Sequence, residues 1–190
     1  TSGHVENFTE QRLFQMMDQV KSNFNVDDNA VHIQGHSMGA SGALSLGIRY
    51  GDYFAWTYSS EPMTSYGTNP TFQNEFAQLW GSQASNLPII NKGPYASRLL
   101  KYNNTSVYTW MNHQAMLPVM RNEPMAMLMV GHGKIDDVID WQTQGQPIIA
   151  ALNNAHVAFT AEQRNNWDHT WMGFDYENTA MFGVPNVNRT

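Results

Sequence analysis

A chain of 190 residues that is 42% hydrophobic and 12% aromatic can bury one proper core, and it is too short to count on two domains. A formal charge of -6, with ten Lys plus Arg against sixteen Asp plus Glu and no basic run, argues against a nucleic-acid groove or an anionic membrane surface as partner. The absence of cysteine excludes disulfides, thiolate metal sites and a cysteine nucleophile together.

The longest unbroken apolar run, residues 125–130, is far too short to cross a bilayer. The chain begins on Thr1, as a processed product or a fragment does. Abundant Asn and Gln with few Lys fit a secreted or periplasmic protein, although ordinary compositional drift gives the same balance. No internal repeat or linker-like tract divides the chain, so a single unit over residues 1–190 is expected.

In chain order, Thr9 has the character of a helix N-cap, with Phe8 before it placed to pack on Leu13 as a hydrophobic staple. Leu13, Met16, Met17, Val20 and Phe24 then follow the spacing of a helix with one buried stripe. Turn chemistry over residues 26–30 leads into a short strand at 31–35, and residues 38–50 form a helix that carries Ala40, Leu44 and Ile48 on one line. Gly51 is the expected stop of that helix. A second, aromatic-rich strand at 53–59 completes a strand-helix-strand unit, which in one sheet means a parallel pair with a right-handed crossover.

Residues 61–124 show no clear strand and read as an insertion, with short helices possible at 71–80, 95–102 and 107–116. The run at 125–130 suits a strand covered on both faces. A helix at 147–154 with Pro in its first turn follows, and then a last strand at 156–160. The alternation belongs to α/β architecture.

The chemistry concentrates at Gly35-His36-Ser37-Met38-Gly39, a G-x-S-x-G sequence placed between a predicted strand and a predicted helix with small residues in its first turns. In a nucleophile elbow the serine sits on a strained turn, so flanking side chains must be absent for the neighbouring backbone to approach. A serine hydroxyl needs a histidine to take its proton and a carboxylate to hold that histidine's tautomer. Downstream the chain supplies Gly131-His132-Gly133-Lys134-Ile135-Asp136-Asp137-Val138-Ile139 and then Trp167-Asp168-His169-Thr170-Trp171.

These segments resemble the α/β-hydrolase superfamily, most closely its esterase and polyhydroxyalkanoate-depolymerase-like branch, over about 140 residues. The H-G-x-x-D-x-V-V acid motif of that branch fits residues 132–139, and its H-x-W motif fits His169-Thr170-Trp171. Asp140 departs from the proline usual there, and the insertion matches no segment of the branch.

The resemblance implies an α/β fold, namely the C-terminal portion of an α/β-hydrolase with a mostly parallel sheet, flanking helices and an insertion or cap-like segment at 61–124. It implies Ser37 as nucleophile, His169 as base, Asp136 as acid and the Met38 N–H as an oxyanion donor; no cofactor is expected, and no metal either, since no second pair with ligand spacing lies near His132 and Asp136. Asp137, Asp140 and Asp168 are the competing carboxylates, each with a plain reading as a solvated charge. His32, His113 and His156 read as packed or surface histidines. His36, Trp110 and Trp171 are candidate substrate-binding side chains for an ester with an acyl or aromatic group; Trp80, Tyr108 and Met111 equally suit a pocket or a core.

The alternatives are a serine peptidase of the prolyl-oligopeptidase type and a non-catalytic hydrolase-fold binding protein. Only 30 residues precede Val31, and the superfamily sheet begins with several strands before the elbow. A second polypeptide supplying those strands, together with the other oxyanion N–H, is therefore an expected partner.

Overall fold

A computed structural model describes residues 2–173 and 185–189. In chain order its elements are β1 (Val5–Glu6), α1 (Phe8–Asn23), β2 (His32–His36), α2 (Met38–Arg49), β3 (Trp56–Ser60) and α3 (Gln73–Trp80). There follow β4 (Ile89–Ile90), α4 (Val107–Trp110), α5 (His113–Met120), β5 (Met127–Gly133), α6 (Gln146–Ala155) and β6 (Phe159–Arg164). Strands β2, β3, β5 and β6 lie side by side in that order and all run parallel. The expected parallel sheet with flanking helices is thus present, and its strands end together at one edge, where open α/β sheets place their sites.

Helix α2 is largely buried beyond its first residues: Ala40 and Leu44 are inaccessible, Ile48 is nearly so, and Leu44 and Ile48 join Leu128, Ile148 and Leu152 in the main core. Each such side chain contributes about 1.5–3 kcal/mol by leaving water. β3 is buried along its whole length, whereas β2 is only partly so. The partial exposure of β2 follows from its place at the sheet edge, since among the described residues it pairs with β3 alone.

Several sequence expectations change. Helix α1 begins at Phe8, so Thr9 lies inside it and Phe8 is 67% exposed; no staple forms. Asn7 takes the cap position, but its side chain is occupied elsewhere, donating to Lys92 O and accepting from Lys92 N–H and Gln11. The anchor of α1 is Phe14, which the expected stripe left out and which packs on the rings of Tyr50, Tyr53 and Tyr95. Met16, Val20 and Phe24 of that stripe are at least half exposed. Gly51 does not stop α2 by a left-handed turn; it is needed because a Cβ there would lie 2.3 Å from the Met125 backbone. The last strand starts at Phe159, later than expected, because His156 takes a left-handed φ of 56° and ends α6 instead.

The segment 61–124, expected as an insertion, contributes Leu99, Trp110, Leu117 and Met120 to the same core as the sheet. Its β4 pairs in parallel with β1, a contact between two-residue strands. Arg49 of α2 fastens this region: its buried guanidinium donates to Trp110 O at 2.8 Å, lies 4.3 Å over the Trp110 ring and stands 3.6 Å from Glu10 of α1.

Candidate active site

β2 runs into Ser37, whose φ of 56° and ψ of -116° turn the chain sharply into α2. A residue with a Cβ pays for such a conformation, and here the turn is pinned on both sides. Ser37 N–H donates to Ser60 O at 2.9 Å, and Ser37 O accepts from Ser41 N–H at 3.0 Å and Ser41 Oγ at 2.9 Å. A Cβ on Gly35 would meet Gly39 C at 2.2 Å and Gly39 O at 2.3 Å, so the first motif glycine is required by contact. The second is not: a Cβ on Gly39 would meet no described atom within 4 Å.

Beyond β5, the Asp136 side chain is closed into its own loop, with Oδ1 accepting from Val138 N–H and Ile139 N–H, both at 2.8 Å. Its Oδ2 lies 2.8 Å from His169 Nδ1, and His169 Nε2 lies 2.8 Å from Ser37 Oγ. Three segments up to 132 residues apart therefore form one hydrogen-bonded relay. The Asp136 side chain is fully buried and that of His169 is 18% exposed, so a reactant reaches the serine end and not the carboxylate end.

The histidine loop is held from two directions. Ile135 N–H donates to Trp167 O, and Met172 N–H donates to Ser60 Oγ at 3.0 Å. Trp167 O also sits where a Cβ of Gly133 would be, at 2.1 Å, so that glycine is the reason the two loops can touch. With Asp136 accepting from Nδ1–H, the neutral imidazole presents Nε2 as an acceptor toward Ser37, the tautomer that proton abstraction needs.

The competing carboxylates lie elsewhere. Asp137 is exposed, Asp140 Oδ1 accepts from Thr143 N–H at the start of the next turn, and Asp168 Oδ1 accepts from Thr170 Oγ1. Met38 N–H opens α2 and has no partner among the described residues, while the Met38 side chain is 88% exposed. His36 lies beside the relay, its ring 5.0 Å from that of His169, and it is held neutral first by burial and then by the nearby His169. Trp171 stands edge-on to His36 at 6.1 Å and to Tyr58 at 5.5 Å.

Trp110 must be removed from the candidate binding residues. It is 1% exposed, clamped between Arg49 and Tyr102 in the core. Tyr108 is also buried, and Trp80 packs on Phe76. His32 stacks on Trp56, and buried His113 bonds Ser45 Oγ at 2.7 Å, as packed histidines should. Sequence reasoning missed Glu61, a fully buried carboxylic acid at the end of β3 beside the acid loop. An acidic residue at the carboxyl end of a parallel strand was the available signal.

The fold has solved counterparts. A Bacteroides ovatus protein assigned as a dipeptidyl aminopeptidase IV is similar at a TM-score of 0.65 and 16% identity, over 90% of this chain and 21% of that one. An S-formylglutathione hydrolase from Agrobacterium tumefaciens is similar at 0.57 and 14% identity, over 88% of this chain and 51% of that one. One from Staphylococcus aureus is similar at 0.50 and 19% identity, over 90% of this chain and 56% of that one. The chain thus spans about half the length of these two hydrolases and a fifth of the first protein. No curated protein matches the sequence. The Esterase family model matches residues 2–177, and with the parallel sheet, the elbow at Ser37 and the relay behind it this chain belongs to the Esterase family, on the α/β-hydrolase fold.

Proposed function

We propose that the chain carries the catalytic centre of a serine hydrolase that cleaves carboxylic esters through an acyl-enzyme. The observation that supports this most is the unbroken relay Ser37 Oγ, His169 Nε2, His169 Nδ1, Asp136 Oδ2, with both contacts at 2.8 Å. Ser37 Oγ attacks the ester carbonyl as its proton passes to His169 Nε2, and Asp136 stabilises the imidazolium. His169 returns the proton to the leaving alcohol. Water then repeats the sequence: His169 takes its proton, hydroxide oxygen bonds the acyl carbon, and Ser37 leaves with the proton returned.

The oxyanion formed in each half reaction needs donors. Met38 N–H, free among the described residues at the positive end of α2, is the one this chain offers, worth on the order of 3 kcal/mol in the transition state. Within this reading His36 and Trp171 border the acyl site, and polyester depolymerisation outside the cell is the narrower form suggested by the acid and histidine motifs and the composition.

The outer edge of β2 supports one further reading. That edge has no strand partner among the described residues, and exposed Met16, Val20, Phe24 and Val26 cluster in the elements leading to it. Further strands from polypeptide outside these 190 residues, such as a second chain, would cover the edge and supply the other oxyanion N–H.

The likeness to the Bacteroides ovatus protein keeps peptide hydrolysis as the second reading. Initial rates on p-nitrophenyl acyl esters and on peptide p-nitroanilides, with Ser37→Ala beside the parent protein, separate the two. Ester turnover that vanishes in Ser37→Ala is the expected result; peptide turnover above ester turnover would overturn the ester assignment.

A further inference from the structure

Residue 61 closes β3 in an unusual way. Glu61 adopts a left-handed φ of 55°, which a side chain disfavours, and its N–H donates to Gly131 O at 2.8 Å. This turn places a carboxyl group, wholly shielded from water, inside the acid loop. Gly133 N–H donates to Oε1 at 2.8 Å and to Oε2 at 3.1 Å. Asp136, three residues beyond Gly133, is the side-chain hydrogen-bond partner of Glu61.

Two carboxyl groups in contact in a dry site do not both ionise. Asp136 is the member provided for as an anion, because two backbone N–H groups and His169 Nδ1–H converge on it. Among the described residues, Glu61 has the single N–H of Gly133 and no cationic partner. Burial first, and Asp136 second, push its carboxyl up to about 9. Its proton needs an acceptor. His132 Nδ1, 3.6 Å from Oε2, is too far, whereas Asp136 is the side chain that hydrogen-bonds to Glu61.

We propose that Glu61, as a neutral carboxylic acid, donates a hydrogen bond to the Asp136 carboxylate and so positions the group that orients His169. This rests on the triad reading of Ser37, Asp136 and His169. Glu61 is a positioning residue: it touches no reacting atom, and it acts through the number of donors that Asp136 receives. A plain structural acceptor for Gly133 N–H would need no ionisable group, so protonation is the property that distinguishes the two roles.

The groups that face Glu61 are Asp136 and His132 from β5 and its loop, Asp168 from the histidine loop and Tyr58 from β3. The test compares Glu61→Gln, Glu61→Met and Ser37→Ala by kcat and KM on p-nitrophenyl acetate from pH 5 to 10. The Gln amide can donate to Asp136 and accept from Gly133 N–H at every pH, so kcat should stay within about fivefold and an alkaline decline centred near 9 in the parent should disappear. Met supplies neither bond; with a hydrogen bond to a charged group lost, kcat should fall about 10- to 100-fold with KM little changed.

Equal losses in Gln and Met, or an alkaline limb unchanged in Gln, would overturn the proposal. If Met fails to fold, the pH profile of Gln alone decides. Esterase activity surviving in Ser37→Ala would instead mean that the triad reading has failed, which keeps the two failures distinct.

Discussion

Replacing Asp136 by Asn leaves the acid loop nearly intact and reverses one hydrogen bond. At present Oδ1 serves Val138 N–H and Ile139 N–H while Oδ2 accepts from His169 Nδ1. An Asn side chain has one oxygen, and two backbone donors at 2.8 Å will claim it, leaving the amide NH2 against His169. Nδ1 must then accept, so the ring proton moves to Nε2, which faces Ser37 Oγ and can no longer take its proton. By analogy with other triads the loss in kcat should be about 10⁴-fold, equivalent to about 5.5 kcal/mol of activation free energy. Stability should suffer far less, by about 1–2 kcal/mol, because both backbone donors keep an acceptor. The assay is steady-state hydrolysis of p-nitrophenyl acetate beside urea unfolding, with Asp137→Asn as the comparison, since Asp137 is exposed and outside the relay. A loss under tenfold for Asp136→Asn, or a larger one for Asp137→Asn, would refute the assignment.

Gly35→Ala should abolish turnover and destabilise the fold by about 1–3 kcal/mol or more, read by urea unfolding, because the new Cβ would meet Gly39 backbone at 2.2 Å where nothing can rotate away. Trp110→Ala should cost about 3–5 kcal/mol of stability while the folded fraction keeps its kcat/KM, separating a core residue from a binding residue. Stability should peak near neutral pH. His132, lowered to about 4, and His113, lowered well below its usual value, both by burial, stay neutral in the fold while the unfolded chain protonates near 6.5. Their contribution is present above about 6.5 and is lost as pH falls. Glu61, raised to about 9, has the opposite sign: its contribution is complete below the unfolded value near 4.5 and is lost as pH rises toward 9, at ~1.4 kcal/mol per pH unit. Urea midpoints between pH 7 and 9 should therefore fall in the parent and less steeply in Glu61→Gln; equal slopes would refute the buried-acid account.

The candidate site was legible because its chemistry is local. A nucleophile elbow needs a glycine two residues before the serine for a contact made within one turn, and the acid and histidine each sit in a short loop with its own pattern, so three separate segments announce themselves. Residues 38–48 were readable for the same reason, as a helix whose small and aliphatic positions are nearly all buried. What was hidden depends on partners distant in sequence. The stripe on α1 has helical spacing, yet spacing does not say which face the rest of the protein covers, and Phe14 rather than Met16 or Val20 received the aromatic cluster. Two-residue strands such as β1 and β4 hold too few residues to show a period. Trp110 has no sequence mark that separates a pocket wall from a core wedge; the buried Arg49 guanidinium over its ring decides it. Glu61 was missed because its neighbours, Asp136 and Gly133, lie more than 70 residues away.

The most direct measurement is covalent labelling of the intact protein with a fluorophosphonate, followed by mass spectrometry of the modified peptide. A hydroxyl is phosphonylated quickly only where a neighbouring base removes its proton, so the reagent reports the Ser37 to His169 contact itself. The account predicts a single label on Ser37 that disappears in His169→Ala. A label on another residue, or a Ser37 label that survives His169→Ala undiminished, would contradict it.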